Sequence, residues 1–574
     1  MTDHPHADDF DAWFPDDPTL FMAQPGQRLG VVVGGSLSKG LTVRLDYKVQ
    51  VEELAVGRYV VVHSSTAKRF FCMITDVELN STNPAIEADP PDFTNPFFQA
   101  VYAGTASYAT VSVAPQLTIE ADDKPKPVKT IPGHFTPVFN ASEEDVNAVF
   151  GEEDATHFNV GVPLELEQTQ INLDLKRLVE RSVGVFGKSG TGKSFLTRVL
   201  LSGVIMRKQG VNLIFDMHND YGWEVTDERG PKAKGLKQLF PNQVEILTLD
   251  AESTRRRQAV YDREVKIAYD EILPEDLSML RETMSLSDAM IDAAYTLHKW
   301  YARRGISNWV KSIIQLSAED AEVIAEETPI GAGTLSALQR RLSRFERWHF
   351  LTEEKQGDSV QRIIQLITEE GKNVVLEFGR YGNSLEAYML VANYITRRIH
   401  REYINRVERA LGDKSLEPPQ LLITIEEAHK FLDPKIASQT IFGEIARELR
   451  KYKVTLLVVD QRPSGIDEEV MSQIGTRVTA LLDNERDINA VLTGISGAHS
   501  LRQVLARLDT KQQAIIMGHA VPMPVVVKTR TYDDAFYAAV TGGRVGVASH
   551  DGAPADQNED AVRKVNNRKD RRLR

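Results

Sequence analysis

Two regimes of hydrophobic patterning divide the chain. Residues 28 to about 135 carry alternating and β-branched apolar runs broken by turn residues, as in RLGVVVGGSLSKGLTVRLD, VGRYVVVHSS, KRFFCMITDVEL and YATVSVAPQLTIE. Strands at short, even spacing, with Gly34-Gly35 in a hairpin, predict a small, closed or partly open β-barrel. Ala121 to Gly133, with its three prolines, reads as the linker that leaves it.

From Asn172 the pattern becomes buried apolar strands alternating with amphipathic helices, which predicts a mostly parallel sheet covered on both faces. The expected strands are 183–186, 212–217, 244–250, 373–378, 421–428, 455–461, 477–483 and 514–518. No comparable strand is expected between Asp250 and Asn373, where DAMIDAAYTLHKWYARR and TLSALQRRLSRFERWHFL have helical periodicity. A long helix from Gly333 is expected there, with a basic face of Arg340, Arg341, Arg344 and Arg347. The resulting organisation is an acidic leader (1–25), a barrel (26–135), a connector (136–171) and an α/β core in two segments (172–250 and 373–545). A helical insert (251–372) separates those segments, and a basic tail (546–574) follows them.

Composition narrows the classes. The 574 residues are 42% hydrophobic and 26% charged, a globular balance that excludes global disorder. A lone cysteine, Cys72, excludes an intrachain disulfide or a multi-cysteine zinc site and fits a reducing, cytoplasmic setting. The leader is rich in aspartate and lacks the basic start of a secretory signal, so export is not expected. The longest uncharged stretch, Phe93 to Ile119, is interrupted by prolines, amides and hydroxyls and reads as strands and turns, so no membrane span is expected. Net charge is −13, so any nucleic-acid site must be local. The tail from Arg563 to Arg574 carries seven basic residues against Asp570, either as a solvated segment or as a phosphate contact.

The candidate chemistry centres on GKSGTGKS: Gly187, Lys188, Ser189, Gly190, Thr191, Gly192, Lys193 and Ser194 match G-x-x-x-x-G-K-[ST] in full. The match follows the strand VGVF and precedes a helix-compatible run beginning at Phe195, the context a phosphate loop requires. Glycines let successive N–H groups turn toward a polyanion, Lys193 reaches the β and γ phosphates, and Ser194 offers a hydroxyl to Mg²⁺. LLITIEEAHKFL supplies a strand ending in two carboxylates, Glu426 for the metal and Glu427 for the attacking water. Gln461, at the end of another buried strand, is a candidate sensor of the γ-phosphate. Asp216, His218 and Asp220 end the strand after the phosphate-loop helix, where hydrogen-bonded structure is the better reading than a metal site. Arg447 and Arg450 share a helix face, and Arg181 precedes the phosphate-loop strand. Each is either a solvated cation or one offered to a neighbouring subunit's nucleotide.

Together these residues resemble the HerA family of hexameric DNA-translocating ATPases, relatives of the FtsK-type pumps within the RecA-like P-loop superfamily. The resemblance runs through the barrel start LGVVVGGSLSKGLTVRLD, the phosphate loop, DMHNDY at Asp216 to Tyr221, the helical insert, EEAH, IARELRKY and QRPS. Three positions depart from the family's pattern: Glu426 stands where an aspartate is usual, and Asn219-Asp220 where Gly-Glu is usual.

The resemblance implies a RecA-like ATPase core using ATP and Mg²⁺, a homohexameric ring with nucleotide at subunit interfaces, and DNA in the central channel. It also implies a barrel platform for a NurA-type nuclease or another effector, in end resection or in phage defence. Lys232, Lys234 and Lys237 are expected to meet DNA phosphates in the channel. An ATP-gated scaffold with little translocation, or a peptide pump on the same core, remain alternatives. No nuclease constellation is evident outside the ATPase core.

Overall fold

The computed structural model describes residues 26–542, except 65–67, 93, 103–105, 121–124, 165, 167, 227–231, 356, 438–439, 449–450, 496–497 and 510–511. The acidic leader and the basic tail lie outside the described residues, as does Arg450.

Seven antiparallel strands open the fold: β1 (Arg28–Ser36), β2 (Gly40–Leu45), β3 (Tyr59–His63), β4 (Arg69–Ser81), β5 (Ser107–Ile119), β6 (Pro125–Pro127) and β7 (Pro137–Asn140). Their order is β2-β1-β7-β3-β4-β5-β6, and a further β2–β5 pairing, Leu41 opposite Val113 and Arg44 opposite Thr110, closes a six-stranded barrel with β6 outside it. Closure removes the free edges that a short open sheet would expose.

Gly34 and Gly35 lie in the expected hairpin, within β1 at a register shift before the turn at residues 37–39. Gly35 has φ 127°, and a Cβ there would lie 2.4 Å from the Gly40 carbonyl oxygen, so the pair serves a bulge and not the turn itself. Two other expectations need correction. The segment read as an exit linker is an internal excursion, because β6 pairs with β5 and the chain then returns as β7 between β1 and β3. The uncharged stretch after Phe93 includes the helix Pro96–Tyr102 before β5.

The expected connector is also structured. Ser142 and Asp145 form a capping box on the helix Glu143–Phe150. β8 (His157–Pro163) and β9 (Ile171–Asp174) then form one border of the large sheet. The remaining strands of that sheet are β10 (Val183–Phe186), β11 (Val211–Asp216), β14 (Val244–Thr248), β15 (Arg263–Glu264), β18 (Asn373–Glu377), β19 (Leu421–Glu426), β20 (Val454–Asp460), β21 (Thr476–Thr479), β22 (Gln513–Gly518) and β23 (Val525–Thr529). Among the described residues it has twelve strands, ordered β15-β14-β18-β11-β19-β20-β10-β21-β22-β23-β8-β9, parallel up to β21 and antiparallel beyond it. All eight expected strands are present.

A short ribbon, β12 (Val225–Thr226) with β13 (Lys232–Ala233), and a parallel pair, β16 (Ile267–Ala268) with β17 (Leu351–Thr352), complete the strands. The region 251–372 is otherwise mainly helical, including Asp288–Arg303, Trp309–Ile314, Ala318–Glu327 and Ala332–Leu342. The expected long basic helix is α-helical only to Leu342 and tightens to a 3-10 turn over Ser343–Arg347. Asp276, fully buried, accepts from Arg397 at 2.8 Å and from Asn393 at 3.0 Å, which ties the insert to the 26-residue helix Leu385–Ala410. No helix among the described residues is long and apolar enough to cross a membrane.

The barrel wall is apolar on both sides. Val60, Val62, Phe70, Cys72 and Ile74 fill its interior, while Tyr59, Val61, Phe71 and Met73 join the core continuous with the large sheet. Strand alternation sends neighbouring side chains to opposite faces, so the same strands seal the barrel and fasten it to the core of the large sheet. Phe71, with no exposed surface, packs against Tyr59 at a centroid distance of 5.1 Å. Phe71→Ala is therefore expected to cost about 3–5 kcal/mol in denaturant unfolding; a loss under about 1 kcal/mol would contradict a tightly packed junction.

Candidate nucleotide site

The site lies at the carboxyl ends of four adjacent parallel strands, β11, β19, β20 and β10, the edge where open α/β sheets bind ligands. Phe186 at the end of β10 is level with Asp460 of β20, and Glu426 of β19 is level with Val459. The phosphate loop and the two carboxylate-bearing strand ends are thus set side by side by register.

The loop leaves β10 at Gly187, where a Cβ would lie 2.8 Å from the Thr191 hydroxyl and 2.9 Å from Ala480 Cβ. Gly190 (φ 79°) and Gly192 (φ 87°) take left-handed backbone that side chains disfavour. Gly192 caps the helix Lys193–Arg207, whose positive end faces the loop. Thr191 Oγ1 donates to the Lys188 carbonyl at 2.7 Å, and Lys193 Nζ donates to the same oxygen at 2.9 Å. Burial pushes the Lys193 ammonium below its ordinary pKa, opposed by the charges of Glu427, Asp460 and Glu426. Lys188 pairs with Asp483, and Ser189 and Gly190 are exposed at the loop tip. Ser194 is partly buried in the first helical turn. Phe195 is 36% exposed, 6.2 Å from the Tyr532 ring, with Arg198 over its face at 5.3 Å.

Glu426 ends β19 almost wholly buried, and its Oε1 accepts the Tyr221 hydroxyl at 2.9 Å while its Oε2 has no hydrogen-bond partner among the described residues. Desolvation, with the nearby charges of Asp216 and Asp220, pushes this carboxyl up to about 8. Glu427 takes a left-handed backbone, φ 48°, a conformation costing of order 1–3 kcal/mol in a non-glycine residue and concentrated at functional sites. Gln461 donates to its Oε1 at 3.3 Å, and His429 Nδ1 lies 3.7 Å from its Oε2. His429 is held by Asp460, which also accepts the backbone N–H groups of His429 and Arg462 at 2.7 Å each. Asp460 therefore shapes two strand exits at once. Sequence reasoning picks out Gln461 and misses this residue, whose signal is an aspartate one position earlier at the end of a buried strand.

An orphaned, desolvated carboxylate oxygen within the field of the phosphate-loop lysine fits a divalent cation that takes its other ligands from phosphates and water. Glu426 and Ser194 would hold it. Among the described residues no group of three or more His, Cys, Asp or Glu is arranged around a single metal position.

The other candidates fall elsewhere. Arg447 is engaged within its own chain, with Glu469 at 2.9 Å and Asp467 at 3.8 Å. The Arg181 stem packs where a Gly475 side chain would otherwise stand. His218 is exposed, whereas Asp216 is fully buried and accepts backbone N–H groups. Lys237 is tied to Asp262 at 2.9 Å and to the Val244 carbonyl at 2.7 Å, which removes it from the expected DNA-contacting set. Lys232 pairs with Glu224, and Lys234 lies over the Tyr537 ring at 5.2 Å.

Fold and site together define a RecA-like P-loop ATPase core with a helical insert behind an N-terminal barrel. Residues 158–399 match the family model described as DUF87, Helicase HerA, central domain. The DNA double-strand break repair helicase HerA of Pyrococcus furiosus is 25% identical over 429 residues, 71% of this chain and 74% of its own. Its namesake in Sulfolobus acidocaldarius is 24% identical over 518 residues, 88% of this chain and 93% of its own. Among solved structures, VirB4 of Thermoanaerobacter pseudethanolicus aligns with a TM-score of 0.43 at 15% identity, covering 67% of this chain and 99% of that one. Residues 158–399 thus match the HerA central domain, and the chain is similar to HerA helicases over most of its length.

The buried carboxyls make stability depend on pH. Asp216, desolvated and beside Glu377, is pushed up to about 7, and Glu426 to about 8. Each folded pKa exceeds its unfolded value, so the native state holds more protons in between, and stability is lost as pH rises from the ordinary carboxylate range through the folded values. The nucleotide-free protein is expected to melt lower at about pH 8 than at about pH 6, and Glu426→Gln to flatten that slope. An equally steep slope in the variant would contradict a Glu426 that ionises only at raised pH.

Proposed function

We propose that the protein is an ATP-driven DNA translocase or helicase working as a homohexameric ring, with nucleotide at subunit boundaries and DNA in the channel. The observation that carries this reading is the convergence of Lys193, Glu427 and Gln461 on one sheet edge in a chain whose residues 158–399 match the HerA central domain. The names of its relatives as DNA repair helicases support the choice of DNA. A ring also lets an acidic chain handle DNA, because a few loop cations such as Lys232 and Lys234 are repeated by symmetry around the channel. The barrel is the platform for a partner, a NurA-type nuclease in end resection or another effector in phage defence, and the site of action is the cytoplasm.

In the hydrolytic step the loop N–H groups wrap the phosphates, and Lys193 exchanges the Lys188 carbonyl for phosphate oxygen. Ser194 and Glu426 would hold Mg²⁺, which would supply charge neutralisation to the phosphates. Glu427 takes a proton from water as its oxygen attacks the γ-phosphorus and the bond to the β-phosphate oxygen breaks. Gln461, already bonded to Glu427, orients the same water. An arginine of the neighbouring subunit, Arg450 or an Arg447 released from Glu469, meets the transition-state charge.

The decisive measurement is ATP turnover of the purified full chain with and without linear duplex DNA, with Lys193→Ala as the blank. Turnover should rise with DNA and vanish in the blank; Lys193-dependent turnover indifferent to DNA would favour an ATP-gated scaffold instead. Glu427→Gln should keep nucleotide binding while losing on the order of 100-fold or more in turnover, and normal turnover there would remove its catalytic assignment.

Action in trans has its own check. Arg450→Ala subunits mixed with Glu427→Gln subunits should recover part of the activity in mixed rings. No recovery at any ratio, with assembly confirmed, would count against it.

A further inference from the structure

The turn after β11 has no role in the hydrolytic scheme, yet it ends on the carboxylate assigned to the metal. Asp216, fully buried at the strand end, accepts the N–H groups of Asp220 at 2.7 Å, Tyr221 at 2.8 Å and Gly222 at 3.3 Å. One carboxylate thereby gathers three successive backbone donors and folds residues 217–220 into a tight turn. Asn219 sits in that turn at φ 59°, where asparagine is tolerated, and its Oδ1 accepts the Gly379 N–H at 3.0 Å just past β18. The turn is thus anchored at both ends, and what it delivers is the fully buried Tyr221, whose hydroxyl donates to Glu426 Oε1.

Glu426 is held from a second side. Its N–H donates to the Tyr388 hydroxyl at 3.1 Å, and that hydroxyl lies 3.3 Å from the Glu426 carbonyl oxygen. Tyr388 therefore locks the main chain, while Tyr221 is, among the described residues, the one hydrogen-bond partner of the carboxylate. A glutamate has one more rotatable bond than an aspartate, and a single hydroxyl on Oε1 removes that freedom and leaves Oε2 unpaired.

We propose that Tyr221 is a positioning residue, whose hydroxyl holds Oε1 of Glu426 so that Oε2 is presented to the metal of the bound nucleotide. This rests on the hydrolytic reading above and deepens it. Partners that orient a metal ligand through a hydrogen bond typically change metal affinity or activity by about 10–100-fold when removed.

The test is Mn²⁺ binding to the full chain in the presence of ADP, followed by electron paramagnetic resonance, alongside ADP binding in a chelator and thermal melting. Tyr221→Phe should weaken Mn²⁺ binding by about tenfold or more while metal-free ADP affinity and melting stay close to those of the unsubstituted protein. In a Glu426→Asp background the shorter carboxylate cannot reach the hydroxyl, so Tyr221→Phe should add no further loss. Equal Mn²⁺ affinity with and without the hydroxyl, or the same fold loss in both backgrounds, overturns the proposal. If Tyr221→Phe folds poorly, Asn219→Gly keeps the left-handed turn and removes only its tie to Gly379. It should weaken Mn²⁺ in the same way, and unchanged affinity overturns the proposal. Failure of the unsubstituted protein to bind Mn²⁺ with ADP would instead overturn the hydrolytic reading, and this inference with it.

Discussion

Three carboxylates, Asp216, Glu377 and Glu426, are buried at the carboxyl edge of neighbouring strands, and offsetting their desolvation organises what surrounds them. Each is handled differently. Asp216 draws three backbone N–H groups into a turn, Glu377 takes the Arg257 guanidinium at 2.7 Å, and Glu426 receives, among the described residues, only the Tyr221 hydroxyl. Among the described residues Glu377 and Glu426 each keep one oxygen without a partner, but Glu377 has a guanidinium on its other oxygen, whereas Glu426 has only a neutral hydroxyl and is pushed up to about 8. A site that leaves one buried carboxylate under-satisfied beside a phosphate loop is poised for a cation that arrives with its substrate.

Parallel register makes that arrangement possible. Because β11, β19, β20 and β10 run together, their carboxyl ends fall at one level, and residues far apart in the chain, from Lys193 to Gln461, come within reach of each other. The strained turn at Glu427 follows from the same geometry: β19 must end at Glu426 and redirect at once, so that Glu427 meets Gln461 and His429 instead of continuing the strand. Its neighbour Asp460 supports both exits by accepting backbone N–H groups from each.

The barrel is joined to this core by packing and not only by chain connectivity. Its strands carry apolar side chains on both faces, so one face fills the barrel while Tyr59, Val61, Phe71 and Met73 extend the large core. A surface barrel with one solvated face would alternate apolar and polar residues, whereas YVVVH and RFFCMI are nearly continuous apolar runs.

Local patterning alone determined the phosphate loop, the eight main strands of the α/β core, the helical character of the insert and the pair of glutamates at a strand end. Those features are written in contiguous residues whose spacing carries the physics. Tertiary structure decided what no window of sequence contains. It showed that β7 returns to close the barrel wall and that β8 and β9 border the ATPase sheet. It showed too that Lys237 is held by Asp262 and Arg447 by Glu469, because these depend on strand order and on partners distant in the chain. The Asp216 to Tyr221 element divides along the same line: its residues are conspicuous in the sequence, but only the adjacency of β11 and β19 brings the Tyr221 hydroxyl to Glu426, 205 positions away.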